Sequence, residues 1–262
     1  MKKTLRRFGL YRSSRKFLSS AEATQYRERL AEVLWRDFHL KMHRLQTEPS
    51  VLPPRGVVAK VQGSNTADAN SFFGGAYRDM INYLEALRSN GFDITRMERM
   101  LDFGVGTGRM LLHFLPFQLE RYGVDVNPAA IEWTSRKLGD FATIELSHLE
   151  PPLRYESGFF DLVMANSVFT HMPFEVQPRW IAELARVLKP GGCALITVHD
   201  FSKLPKEHQE VGWLERGTSR GLHNNTYVSP ERLAALWSPA FELLEVHRSP
   251  PRQAFIVARR RG

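Results

Sequence analysis

Ten residues constrain this chain more than any others: Met100 to Arg109, MLDFGVGTGR. Apolar residues lead into Asp102, Gly104, Gly106 and Gly108 then alternate with Val105 and Thr107, and a helix-forming run from Met110 to Phe117 follows. That order predicts a strand, a tight glycine turn and a helix start. Glycine at every second position opens backbone dihedrals closed to other residues, and the missing Cβ atoms let a ligand lie against the chain. The turn is expected to cradle a cofactor.

Spacing narrows the cofactor. A dinucleotide fingerprint reads G-x-G-x-x-G and sets a pyrophosphate on the helix N-terminus. Here the order is D-x-G-x-G-x-G, followed by Arg109. An acid just ahead of the first glycine repels a pyrophosphate and attracts a cationic ligand, which favours S-adenosylmethionine over NAD. Asp102 to Gly108 resembles the first motif of class I S-adenosylmethionine-dependent methyltransferases. A second element agrees with it: RYGVDVN reads as the next strand, with Asp125 at its tip, 21 residues past Gly104. About 20 residues is the distance at which a Rossmann-like unit places an acid on ribose hydroxyls. Asn127 and Pro128 then start a helix. The cofactor-binding set expected from this half is Asp102, Gly104, Val105, Gly106, Gly108, Asp125, Val126 and Asn127.

From Arg99 onward strand and helix patterns alternate, as a parallel sheet requires. ATIELS reads as strand three, and two prolines then break HLEPPLRYESGFF. FDLVMANSVF has the continuous apolar character of a strand buried on both faces. FDLV and SVFTHMP resemble the fourth motif of the same family. By that resemblance Ser147, His148 and Leu149 border adenine, while Ala165, Asn166 and Ser167 lie beside the methionine moiety. Pro178 to Lys189 forms a helix with Ile181, Leu184, Ala185 and Leu188 on one face, and ELARVLKPGG is again similar to the family. CALITVHD is strand five, and a long polar connection runs from Phe201 to Tyr227. Ser229 and Pro230 cap a helix with Leu233, Leu236 and Trp237 inward. FELLEVHRS and QAFIVARR, parted by PPR, form a closing hairpin. The expected fold is α/β: a Rossmann-like, doubly wound, mostly parallel seven-stranded sheet ending in an antiparallel hairpin. The resemblance covers about Ser71 to Arg260.

Methyl transfer needs a nucleophile aligned opposite the leaving sulfur, with water excluded and no covalent intermediate. A hydroxyl nucleophile calls for a base near neutral pKa, and histidine is the usual choice. His171 after strand four and His199 at the tip of strand five stand where open α/β sheets bind ligands, and are the catalytic candidates. Asp200 and His223 are secondary ones, and each histidine reads equally well as a helix cap or loop residue. ANSVF stands where amino-group methylating enzymes carry an Asn-Pro-Pro-Tyr-like sequence, and no carboxylate pair has magnesium-ligand spacing. The expected reaction is O-methylation of a small-molecule or glycan acceptor. The alternatives are RNA methylation, or a nucleic-acid or anionic-surface binding protein with a vestigial pocket.

Charge is unevenly placed. Residues 1–45 carry 12 Lys and Arg against 4 acids, an excess equal to the net +8 of all 262 residues. Such a segment suits an anionic partner or serves as a solvated tail. Ser19 and Glu22 form a capping signal ahead of Tyr26, Leu30, Leu34, Phe38, Met42 and Leu45, an amphipathic helix that packs on the neighbouring domain or on a second subunit. Thr47 to Asn70 reads as a linker. Residues 1–70 are thus an N-terminal helical appendage, and 71–262 the cofactor-binding domain. Ser71 to Gly75 opens a further helix, stopped by Gly91, with Phe73 or Gly74 approaching the methionine end. Cys193, the single cysteine, sits in an apolar run and reads as a small core residue, so neither a disulfide framework nor a metal cluster is expected. No apolar run nears the roughly 18 residues that span a bilayer. The basic N-terminus lacks the apolar core of a secretory signal, and a cytoplasmic location is expected.

Overall fold

The computed structural model describes residues 53–54, 56–57, 75–201, 213–217, 224–249 and 253–262. The expected helix over residues 22–45, the linker apart from residues 53–54 and 56–57, Phe73, Gly74 and His223 lie outside the described residues.

Helix α1 (Gly75–Ser89) buries Ala76, Met80, Tyr83, Leu84, Ala86 and Leu87 on one stripe. Strand β1 (Arg99–Phe103) follows, then β2 (Glu120–Asp125), α2 (Pro128–Leu138) and β3 (Thr143–Leu146). These elements belong to a compact unit that ends at His148. Its strands pair in parallel, β1 with β2 and β2 with β3. Asn127 caps α2, its side chain accepting the backbone N–H groups of Ala129 and Ala130, with Pro128 at the first helical position.

The unit that begins at Leu149 contains β4 (Phe160–Ala165), α3 (Gln177–Val187), β5 (Leu188–His199), β6 (Trp213–Gly217) and β7 (Asn224–Val228). Helix α4 (Pro230–Trp237), β8 (Phe241–Ser249) and β9 (Gln253–Arg260) complete it. Strands β4 and β5 are parallel, while β9 runs antiparallel to both β5 and β8. Leu162, Val163, Met164, Leu195, Ile196, Ile256 and Val257 are all buried, which accounts for the continuous apolar runs of these strands. Cys193 is buried among them, and burial pushes its thiol well above its ordinary value. Of the seven sheet strands, β3-β2-β1 stand in that order in the first unit and β4-β5-β9-β8 in the second.

Four local expectations are corrected. The helix expected from Met110 to Phe117 is a single 3-10 turn, Leu111–Phe114. Pro116 lacks the N–H to continue a helix and disfavours helical backbone at Leu115. Strand four stops at Ala165, before the expected NSVF, because Ser167 takes a φ of 62°. Strand five starts at Leu188: the register slips between Phe160↔Leu188 and Leu162↔Cys193, so the KPGG turn lies within the strand as an irregularity. The long polar connection from Phe201 to Tyr227, for which no strand is expected, holds a two-stranded antiparallel ribbon, β6 with β7.

Candidate active site

The glycine turn departs from the tip of β1. Gly104, Gly106 and Gly108 have φ of 82°, 53° and 73°, the left-handed region where side chains are strained. Backbone bonds fix the path: the N–H groups of Gly104 and Val105 both donate to the carbonyl of Val124, at 2.8 and 2.9 Å. Helix α2 secures the far side, where the Thr134 hydroxyl donates to the carbonyl of Gly106 at 2.7 Å. A Cβ at Gly108 would stand 2.5 Å from Cδ1 of Leu138, so this glycine lets turn and helix pack closely.

Asp125, the last residue of β2, ties turn and strand together. Its Oδ2 accepts the N–H of Gly106 and its Oδ1 that of Asn127, each at 2.8 Å. A half-buried carboxylate held by two amides is pre-organised as an acceptor. Val126 beside it is exposed, as is Leu146 at the end of the neighbouring strand. His148 and Leu149 follow without regular structure, and Leu149 is among the most exposed large apolar residues described.

Asp102 is 1% exposed, and its Oδ2 has no hydrogen-bond partner among the described residues. Burial, and then the Asp125 carboxylate, push it up to about 7, against the opposing pull of Arg109. An orphaned buried carboxyl beside a glycine cradle fits a cationic ligand, which would restore the lost stabilisation of its charge. The raised folded-state value also sets a sign. The favoured protonated form contributes fully below the unfolded value near 4, and that contribution is lost as pH rises to about 7. Asp102→Asn, neutral throughout, should therefore gain on the parent with pH. The difference in Tm should grow by several degrees between about pH 4 and pH 7 and then level off. A pH-independent difference in thermal melts would contradict this burial.

In the second unit Ala165 ends β4, Asn166 follows it, and Ser167 turns the chain. The N–H of Ser167 donates to Oγ1 of Thr197 at 2.6 Å, and its hydroxyl donates to Oε1 of Gln253 at 3.0 Å. Those bonds hold a non-glycine residue in a strained conformation, of the sort that collects at functional sites. His199 is the last residue of β5, and its ring lies 6.1 Å from that of His171, centroid to centroid, at 88°. Tyr227 of β7 stacks on His199 with centroids 4.4 Å apart and planes 19° apart. Both catalytic candidates thus fall in one cluster. Among the described residues no group of three or more His, Cys, Asp or Glu is arranged to hold a metal ion.

A family model described as a methyltransferase domain matches residues 70–242, well over half of the chain. The chain belongs to this methyltransferase family. Its fold is the Rossmann-like α/β fold of class I S-adenosylmethionine-dependent methyltransferases, and S-adenosylmethionine is the cofactor the family calls for. A solved S-adenosylmethionine-dependent methyltransferase from Methanosarcina mazei is 17% identical with a TM-score of 0.54, over 67% of this chain and 97% of that one. The 1,6-didemethyltoxoflavin-N1-methyltransferase of Burkholderia thailandensis, solved with 1,6-didemethyltoxoflavin and S-adenosylhomocysteine bound, is 18% identical with a TM-score of 0.56, over 80% and 92%. An uncharacterized protein of Haemophilus influenzae is 30% identical over 93 residues, 34% of this chain. The match spans only 36% of that relative's length.

Sequence reasoning about this methyltransferase passed over Thr134, Thr197, Gln253 and Tyr227. Each acts through a partner at least 28 residues away, and none sits in a local motif. Only tertiary packing brings each of them to its partner.

Proposed function

We propose that the protein transfers a methyl group from S-adenosylmethionine to a hydroxyl of a small-molecule or glycan acceptor. The observation that carries the reading is the Asp125 carboxylate, pinned by the amides of Gly106 and Asn127 beside the orphaned carboxyl of Asp102. Asp125 would accept the ribose hydroxyls, the glycine turn would lie along the methionine moiety, and Asp102 would face positive charge. Val126, His148 and Leu149 would border adenine, and Ala165 and Asn166 the methionine end. When bound, the cofactor supplies an electrophilic methyl on a sulfonium. The chain's own task is then to orient the acceptor, exclude water and take a proton from its hydroxyl.

His199 and His171 are the bases proposed for that proton. The neutral imidazole accepts the hydroxyl proton and later returns it to water, so no covalent intermediate forms. Incubation with methyl-labelled S-adenosylmethionine and a panel of hydroxylated and amino acceptors tests the reading. Label should enter hydroxyl acceptors, and His199→Gln should lower kcat by about 10²-fold or more with the affinity for S-adenosylmethionine unchanged. Label entering only amino acceptors would overturn O-methylation.

The basic residues 1–45 are proposed to attract an anionic acceptor or carrier, with residues 1–70 as an appendage to the cofactor-binding domain and a cytoplasmic location. No helix among the described residues is long and apolar enough to cross a membrane. Replacing Lys2, Lys3, Arg6 and Arg7 by glutamine should raise the acceptor's KM several-fold at low salt and change little at 1 M salt, where screening acts within about 3 Å. An unchanged KM at every salt concentration would leave the segment a solubilising tail.

A further inference from the structure

The ribbon β6–β7 reaches both candidate bases through two consecutive residues. Thr226 takes the loop that carries His171: its N–H donates to the carbonyl of Thr170 at 2.8 Å, and its hydroxyl to that of Met172 at 2.9 Å. The same loop is held from α3, where the buried Gln177 amide donates to the carbonyls of Phe169 and Met172. Tyr227 takes His199, its ring lying almost flat against the imidazole.

The loop of His171 is held by backbone bonds from two elements. His199 ends a strand, and its backbone is set by its pairing with Gln253. Backbone pairing by itself does not set the plane of the ring, since rotation of an imidazole about χ2 is broad. A base acts only within hydrogen-bond reach of its proton, and an ångström of misplacement costs about 10²-fold. The stacked face of Tyr227, 4.4 Å away centroid to centroid and inclined by 19°, narrows the imidazole's rotation.

We infer that Tyr227 is a positioning residue of the acceptor site: stacked on His199, it fixes the plane of that imidazole and makes the β6–β7 ribbon part of the proton-transfer apparatus. This rests on the reading of His199 as base. The contact is ring on ring, so the face of the side chain matters and its hydroxyl does not. The ribbon does not need that ring to form. Its strands pair through the backbone from Trp213↔Val228 to Gly217↔Asn224, and Thr226 anchors it independently.

The test uses the full chain with Tyr227→Phe, Tyr227→Ala and His199→Gln. The His199 Cε1–H resonance, identified by its disappearance in His199→Gln, should keep its ring-current-shifted position in Tyr227→Phe and move downfield in Tyr227→Ala. On a hydroxyl acceptor found with the labelled panel, Tyr227→Ala should lose about 10- to 100-fold in kcat with the KM for S-adenosylmethionine unchanged. Tyr227→Phe should stay within about 3-fold of the parent. A resonance unmoved in Tyr227→Ala, or a phenylalanine variant as slow as the alanine one, would overturn the inference. Loss of turnover in His199→Gln but not in Tyr227→Ala overturns the positioning role alone. Full turnover in His199→Gln overturns the base assignment, and the inference with it.

Discussion

Gly106→Val should bind S-adenosylmethionine at least 100-fold more weakly than the parent chain. Three effects act together at this position. The φ of 53° is held by the Gly106 N–H on Asp125 and the Gly106 carbonyl on the Thr134 hydroxyl, so the backbone has no freedom to relax. A β-branched residue forced into that region costs of the order of 1–3 kcal/mol, and more if the two bonds break. Where the turn survives, the isopropyl group stands in the cradle the cofactor is proposed to occupy. Loss of 2.7 kcal/mol is about 100-fold in affinity. Calorimetry on variant protein with a native far-ultraviolet spectrum checks it, and parent-like affinity would remove the turn from the binding site.

Asp125→Ala should weaken binding by about 100-fold as well, through a different route. The carboxylate accepts two backbone N–H groups at 2.8 Å, and hydrogen bonds to a charged acceptor contribute about 1.5–3 kcal/mol each. Alanine leaves both amides without their acceptor and removes the proposed partner of the ribose hydroxyls. Asp125→Asn separates the two contributions. The amide can present only one oxygen to the two N–H groups, so its loss should fall between parent and alanine. The two variants falling equally would mean that charge, rather than acceptor count, governs the site.

The parts of this chain that were legible in sequence are those where local chemistry decides the outcome. The hairpin 241–249 and 253–260 was readable to its ends because two β-rich runs flank a proline pair. Helices α2 and α4 begin at their side-chain caps, Asn127 and Ser229. The glycine turn and Asp125 were readable for the same reason, since strand, turn and helix follow one another within 40 residues. What failed was non-local or competing. Pro116 cut short a run whose other residues favour helix. The KPGG turn became part of β5 because its neighbours pair on both sides of an irregularity. The β6–β7 ribbon has mixed polar strands without alternation, and only its backbone pairing, Trp213↔Val228 to Gly217↔Asn224, makes it a strand pair. The meeting of His171, His199 and Tyr227 depends on the same topology, because no spacing in sequence relates the three.

Titration calorimetry of the full chain with S-adenosylmethionine, S-adenosylhomocysteine and NAD reads the cofactor site directly. The acid ahead of the glycines and the pinned Asp125 predict one-to-one binding of both adenosyl amino acids in the micromolar range, and no binding of NAD at the same concentrations. Folded protein that binds NAD, or that binds neither adenosyl compound, would contradict the assignment.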